Sequence, residues 1–213
     1  LPVLVPRGPL QGRRFPVVFL LAGYTGSARS FLNWSAWTPS IPERIDRLRE
    51  AGRVGDMVVV FPDAFTVYGG SQYLNSSATG RYEDYLCDEL VPFLDGSLPT
   101  LPTRDARGVF GKSSGGYGAL RLGMKRPDLF SAVACHSGDM AFSLCYASGF
   151  ARTVARIAKA GSLEEWLRRF EATEKKRDLD FDAINTIAMA SCYSPDPSRP
   201  LGLALPFDVE TGE

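Results

Sequence analysis

With 213 residues, 45% of them hydrophobic and 23% charged, the chain has enough apolar material to bury a core without metal or disulfide support. Lys+Arg and Asp+Glu are both 24, a balance that leaves no basic footprint for nucleic acid and no polybasic patch for a membrane surface. No apolar run approaches the roughly 18 residues that a spanning helix needs, and nothing near Leu1 resembles a signal peptide, so a cytoplasmic location is expected.

A short apolar stub at Val3 to Val5 comes first, followed by a stronger run from Phe15 to Leu21. Ile41 to Ala51 carries Ile41, Ile45 and Leu48 at helical spacing, and Met57 to Phe61 is again apolar throughout. Arg81 to Leu94 places Tyr82, Tyr85, Leu86, Leu90, Phe93 and Leu94 on one helical stripe. A strand at Gly108 to Phe110 leads into a helix over Ser114 to Lys125, stopped by Pro127, and a strand at Ala132 to Cys135 follows. Continuous apolar runs, as opposed to alternating ones, fit strands covered on both faces of a parallel sheet. Strand and helix in alternation predict an α/β fold with right-handed crossovers.

From Met140 to Tyr193 the pattern is helical only. Ser162 and Glu165 form a capping-box signature opening Leu163 to Ala172, with Trp166 and Phe170 on one face. Residues 140–193 therefore read either as an inserted cap or lid or as a long crossover, within a single domain spanning 1–213. Beyond Ser194 the chain is Pro-rich and loop-like. The cysteines, Cys87, Cys135, Cys145 and Cys192, lack C-x-x-C spacing and partner histidines, so no metal site is predicted. Cys135 and Cys145 lie in or beside apolar segments and read as buried, reduced thiols.

The chemistry concentrates in GVFGKSSGGYGAL, Gly108 to Leu120. Gly111, Ser113 and Gly115 spell G-x-S-x-G between a strand and a helix, the setting in which a sharp turn lifts a serine hydroxyl above the sheet. Gly116 and Gly118 suit close helix-to-sheet packing. Gly111-Lys112-Ser113 also ends like a phosphate-binding loop, but that motif needs glycine at 106, where Ala106 stands, and a loop where Gly108 to Phe110 reads as strand. The first long strand runs into Ala22-Gly23-Tyr24-Thr25-Gly26, a glycine-containing loop able to turn an amide inward. Acyl transfer needs two backbone N–H groups at the oxyanion, and Tyr24 and Ser114 are the natural donors.

FPVVFLLAGYTGS, VVVFPDAFTVYGGSQYLNSSATGRYEDYLCDELVPFLD and GVFGKSSGGYGALRLGMKRPDLFSAVACHSGD together resemble an esterase family of α/β-hydrolases. Its members include esterase D-like S-formylglutathione hydrolases, feruloyl esterases and mycolyltransferases. The resemblance runs in consistent order from about Val5 to Asp139. It implies an α/β-hydrolase fold, Ser113 as nucleophile and the Tyr24 and Ser114 amides as oxyanion hole. The function it implies is a small-molecule ester substrate hydrolysed through an acyl-enzyme, without cofactor or metal. Ala22 departs from the His or Asp that many relatives carry there. An acyltransferase of the same fold and a non-catalytic binding module are the alternatives, and homo-oligomerisation is left open.

A serine hydroxyl needs a base, and in this fold class the order is Ser, then Asp/Glu, then His. The sequence has one histidine, His136, directly after the strand at 132–135. Either the domain lacks its C-terminal strands, or His136 is base in a rearranged site with Asp139 nearby. Loss of those strands would leave an exposed sheet edge. Asp178, Asp180, Asp182 and Glu210 are candidate acids by position alone. Trp34, Trp37, Tyr68 and Tyr73 read as lining of an acyl or aromatic pocket, or as core, and the charged run from Glu164 to Asp178 as a solvated helix face.

Overall fold

A computed structural model describes residues 1–7, 10–176 and 180–212. The chain divides into two compact units, Leu1–Phe65 with Glu83–Gly138, and Thr66–Tyr82 with Asp139–Glu213.

The first unit is built on a five-stranded sheet. Its strands are β1 (Val3–Leu4), β2 (Val17–Leu21), β3 (Val58–Val60), β6 (Arg107–Lys112) and β7 (Ala132–His136), in the order β1-β3-β2-β6-β7. β4 (Asn75–Ser76) and β5 (Gly80–Arg81) form a separate hairpin in the second unit. β2, β3, β6 and β7 run parallel, and β1 is antiparallel to β3. Every residue of β3 is buried, as a continuous valine run predicts for a strand covered on both faces. Leu20, Val59 and Phe61 pack with Ala28 and with Ile45 of α1 (Ile41–Glu50) into one core cluster. α1 opens with a complete capping box: Ser40 Oγ accepts from the Glu43 amide and the Glu43 carboxylate accepts from the Ser40 amide.

Two sequence expectations change here. Residues 82–97 do form a helix, but its middle is π-helical: α2 (Tyr82–Asp84), a π segment (Tyr85–Leu90), then α3 (Val91–Ser97). Bonding to the fifth residue rotates the stripe, so Leu86, Leu90 and Leu94 are buried while Phe93 is 60% exposed. β7 is the second case. Its apolar run predicted a strand covered on both faces, yet all five residues are exposed, and among the described residues β7 pairs only with β6.

The second unit contains the β4–β5 hairpin and four helices: α5 (Phe142–Cys145), α6 (Ala147–Ala160), α7 (Leu163–Ala172) and α8 (Phe181–Tyr193). The helical reading of 140–193 holds among the described residues. α6 and α8 pack closely through buried Thr153, Ile157, Thr186 and Ile187. Gly149 makes room for Asp182, since a Cβ there would lie 3.2 Å from its carboxylate. The hairpin is tied to α8 by the Ser76 hydroxyl, which donates to the Ser191 carbonyl. Among the described residues no helix is long and apolar enough to cross a membrane.

Candidate active site

The sheet order itself marks a place for chemistry. From β2 the chain crosses to β3 on one side, whereas β6 lies on the other, so the connections diverge between β2 and β6. In open parallel sheets, ligands bind outside the carboxyl ends of the strands at such a switch point. The carboxyl ends of β2 and β6 are Leu21 and Lys112, which lead directly into the loop holding Gly23 and into Ser113.

Ser113 stands between β6 and α4 (Ser114–Lys125) with φ 58° and ψ −125°. A non-glycine residue held in that region is strained, and such strain clusters where a side chain must be presented in one direction. The flanking glycines are sterically required. A Cβ on Gly111 would lie 2.4 Å from the Gly115 backbone, and one on Gly115 would lie 2.1 Å from the Leu21 carbonyl oxygen. Strand β2, the turn and the start of α4 thus touch backbone to backbone. The Ser113 N–H donates to the His136 carbonyl at 3.0 Å, and the Ser113 carbonyl accepts from the Tyr117 N–H at 3.0 Å. The turn is therefore anchored to β7 on one side and to the first turn of α4 on the other. Gly116 fits against the His136 carbonyl and Gly138.

The loop after β2 meets this turn. A Cβ on Gly23 would be 3.4 Å from Ser113 Cβ and 4.0 Å from its Oγ. Gly23 to Gly26 is closed by the Gly26 N–H donating to the Gly23 carbonyl at 2.9 Å, with Thr25 at φ 62°. Tyr24 follows Gly23 directly, so the three sequence-predicted residues, Ser113, Ser114 and Tyr24, belong to two segments in contact. Ala22 is buried, and its Cβ would sit only 3.1 Å from one on Gly26, which leaves little room for a larger side chain. Ser114 opens α4, whose N-terminus faces the turn with its partial positive charge.

Other expectations fare differently. Gly108 to Lys112 is strand, paired residue by residue with β2 and β7, so no phosphate-cradling loop exists before Ser113 and the nucleotide-binding reading falls. Trp34 and Trp37 are 82% and 95% exposed, which rules out a core role, while Tyr68 and Tyr73 are buried in the second unit. Cys135 and Cys145 are exposed, and it is Cys87 and Cys192 that are buried. Burial pushes the Cys87 thiol up to about 12 and that of Cys192 up to about 11. Among the candidate acids, Asp182 pairs with Arg152 at 2.5 Å, Asp180 lines a cleft of the helical unit, and Glu210 sits in a terminal turn. Asp178 lies outside the described residues. The close approach of Gly123, where a Cβ would strike Val133 Cγ2 at 2.3 Å, had no sequence signal beyond a glycine in a helical run.

Comparison with known proteins places this geometry in context. The chain is 27% identical over 129 residues to an esterase of Mycobacterium tuberculosis, a stretch covering 60% of this chain and 26% of that protein. It spans about a quarter of the length of the curated relatives it matches. Among solved structures, a ferulic acid esterase of Anaeromyces mucronatus superposes with a TM-score of 0.53 at 23% identity, over 66% of this chain and 52% of that one. An S-formylglutathione hydrolase of Staphylococcus aureus gives 0.51 at 16% identity, over 88% of this chain and 60% of that one. These likenesses and the parallel sheet flanked by helices establish an α/β-hydrolase fold. The family model described as Putative esterase matches residues 2–181, and on that extent of agreement the chain belongs to this esterase family.

Proposed function

We propose that the protein is a serine-dependent carboxylic-ester hydrolase working through an acyl-enzyme on Ser113. The observation that carries the reading is the approach of Gly23 to the Ser113 side chain, which joins the strained turn to the loop holding the second amide. In the first step Ser113 Oγ bonds to the ester carbonyl carbon and gives up its proton to a base. The carbonyl oxygen becomes an oxyanion held by the Tyr24 and Ser114 amides, and collapse expels the alkoxide, which takes the proton back from the base and leaves as the alcohol. Water then attacks the acyl-enzyme by the same route, releasing the acid and regenerating the serine. The α4 N-terminus favours the negative charge that develops in both steps.

The family match over residues 2–181 enters both compact units, which supports one hydrolase domain that takes in 140–193 as an inserted helical cap or a long crossover. The relatives' names support an ester substrate of small size and leave its acyl group open. Turnover of short p-nitrophenyl esters tests the reading. Ser113→Ala lowers kcat/KM by about 10³-fold or more if Ser113 is the nucleophile, and unchanged turnover by a folded variant sinks the proposal.

A further inference from the structure

We propose that the cleft between α6 and α7 is a binding site for a phosphate-type dianion. α6 ends at Gly161, whose φ of 100° is a left-handed cap, and Ser162 immediately caps α7 by accepting from the Glu165 amide at 3.1 Å. This short link folds the two helices into a hairpin. A cleft of about 290 Å³ opens along it, lined by Arg156 and Lys159 from α6, by Trp166, Arg169 and Phe170 from α7, and by Asp180.

The charge in this cleft is unbalanced: among the described residues, three cations face one carboxylate. Arg169 Nε bonds Glu165 at 2.6 Å, but the same carboxylate also takes Arg168 at 2.7 and 2.8 Å, so one negative charge serves two guanidinium groups. Among the described residues Arg156 and Lys159 form no ion pair. Even with Arg169 sharing the Glu165 carboxylate, the described lining keeps an excess of positive charge that suits an oxyanion, and the planar fork of Arg suits its oxygens.

The cleft wall is apolar on one side. Trp166 is buried and stacked on Phe170 with ring centroids 5.2 Å apart. The Lys176 ammonium lies 4.5 Å over the Phe170 ring while donating to carbonyls at the end of α7. A low-dielectric wall beside clustered cations strengthens their field at the cleft. Compensation of the helix dipole accounts for Lys159 and Arg169, each in the last turn of its helix, but not for Arg156, which precedes that turn.

The test uses the full chain with Trp34 and Trp37 changed to Phe, so that Trp166 is the only indole reporting. Sodium phosphate is titrated at ionic strength held constant with chloride, following fluorescence and the melting temperature. The expected result is a saturable change in the millimolar range or tighter, matched by sulfate and at least about tenfold weaker with acetate. Arg156→Gln with Lys159→Gln, both at the surface, weakens phosphate binding by about tenfold or more and removes the rise in melting temperature. Ser113→Ala leaves binding unchanged. A signal that never saturates, equal affinity for acetate, or full binding by the folded double variant overturns the proposal.

Discussion

At Gly115 the nearest carbonyl oxygen stands 2.1 Å from where a Cβ would be, so no rotamer or small shift admits a side chain there. Gly115→Ala is expected to cost about 3 kcal/mol or more in urea unfolding, because strand, turn and helix must part to accept one methyl. Gly96 supplies the contrast: it sits inside α3 with nothing within 4 Å of where a methyl would point, so Gly96→Ala should stabilise by about 0.5–1 kcal/mol. The thiols test burial at the same scale. Exposed Cys135 and Cys145 should take iodoacetamide at about pH 8, while Cys87 and Cys192, kept neutral by burial, react only on unfolding. Both buried thiols titrate above the unfolded value of about 8.5, so the folded chain holds more protons there and stability falls as pH rises from that value towards 11. The sequence made the elbow legible because the glycine spacing is itself the steric requirement. Cys135 differs from the sequence reading because apolar neighbours in sequence do not tell an edge strand from a central one, and Cys145 because it ends the short helix α5 with its side chain exposed.

Among the elements, α3 and β6 are joined by a nearly dry ion pair. Arg107, 4% exposed, donates to Asp95 Oδ2 at 2.5 Å and to the Leu129 carbonyl at 3.1 Å. Asp95 Oδ1 accepts from the Thr100 hydroxyl at 2.9 Å. Asp95→Ala strands a guanidinium in the interior and should cost about 3 kcal/mol, read by denaturant midpoint at constant m-value. Neither residue carried a sequence signal, since they lie on different elements and only the fold brings them together. In α7 the sequence pattern and the structure agree on two points: Trp166 stacks on Phe170 and Ser162 caps the helix. Glu165 fills only half of the expected box, because its carboxylate is held by Arg168 and Arg169, which keep it at about 2. The π segment at Tyr85–Leu90 escaped detection because a stripe of apolar residues fits both windings until Phe93 is placed.

For the whole molecule, the alternation of strands and helices was legible in chain order, since each element carries its own periodicity. Strand order was not, because it depends on which crossovers turn left or right of β2, and that order is what brings Gly23 to Ser113. Among the described residues β7 pairs only with β6, which leaves its other edge open. Such an edge invites pairing with another chain. Val133 faces α4 through Gly123, so Ala134 points the other way, and Ala134→Lys should lower aggregation at matched concentration by light scattering without loss of fold. Undiminished aggregation would place the sticky surface elsewhere. If Ser113 is a nucleophile in a pre-built site, it reacts with a fluorophosphonate probe, and peptide-mass mapping of the purified chain locates the adduct. The expected result is a single adduct on Ser113 that disappears in Ser113→Ala; an adduct on another residue, or none on a folded chain, overturns the nucleophile assignment.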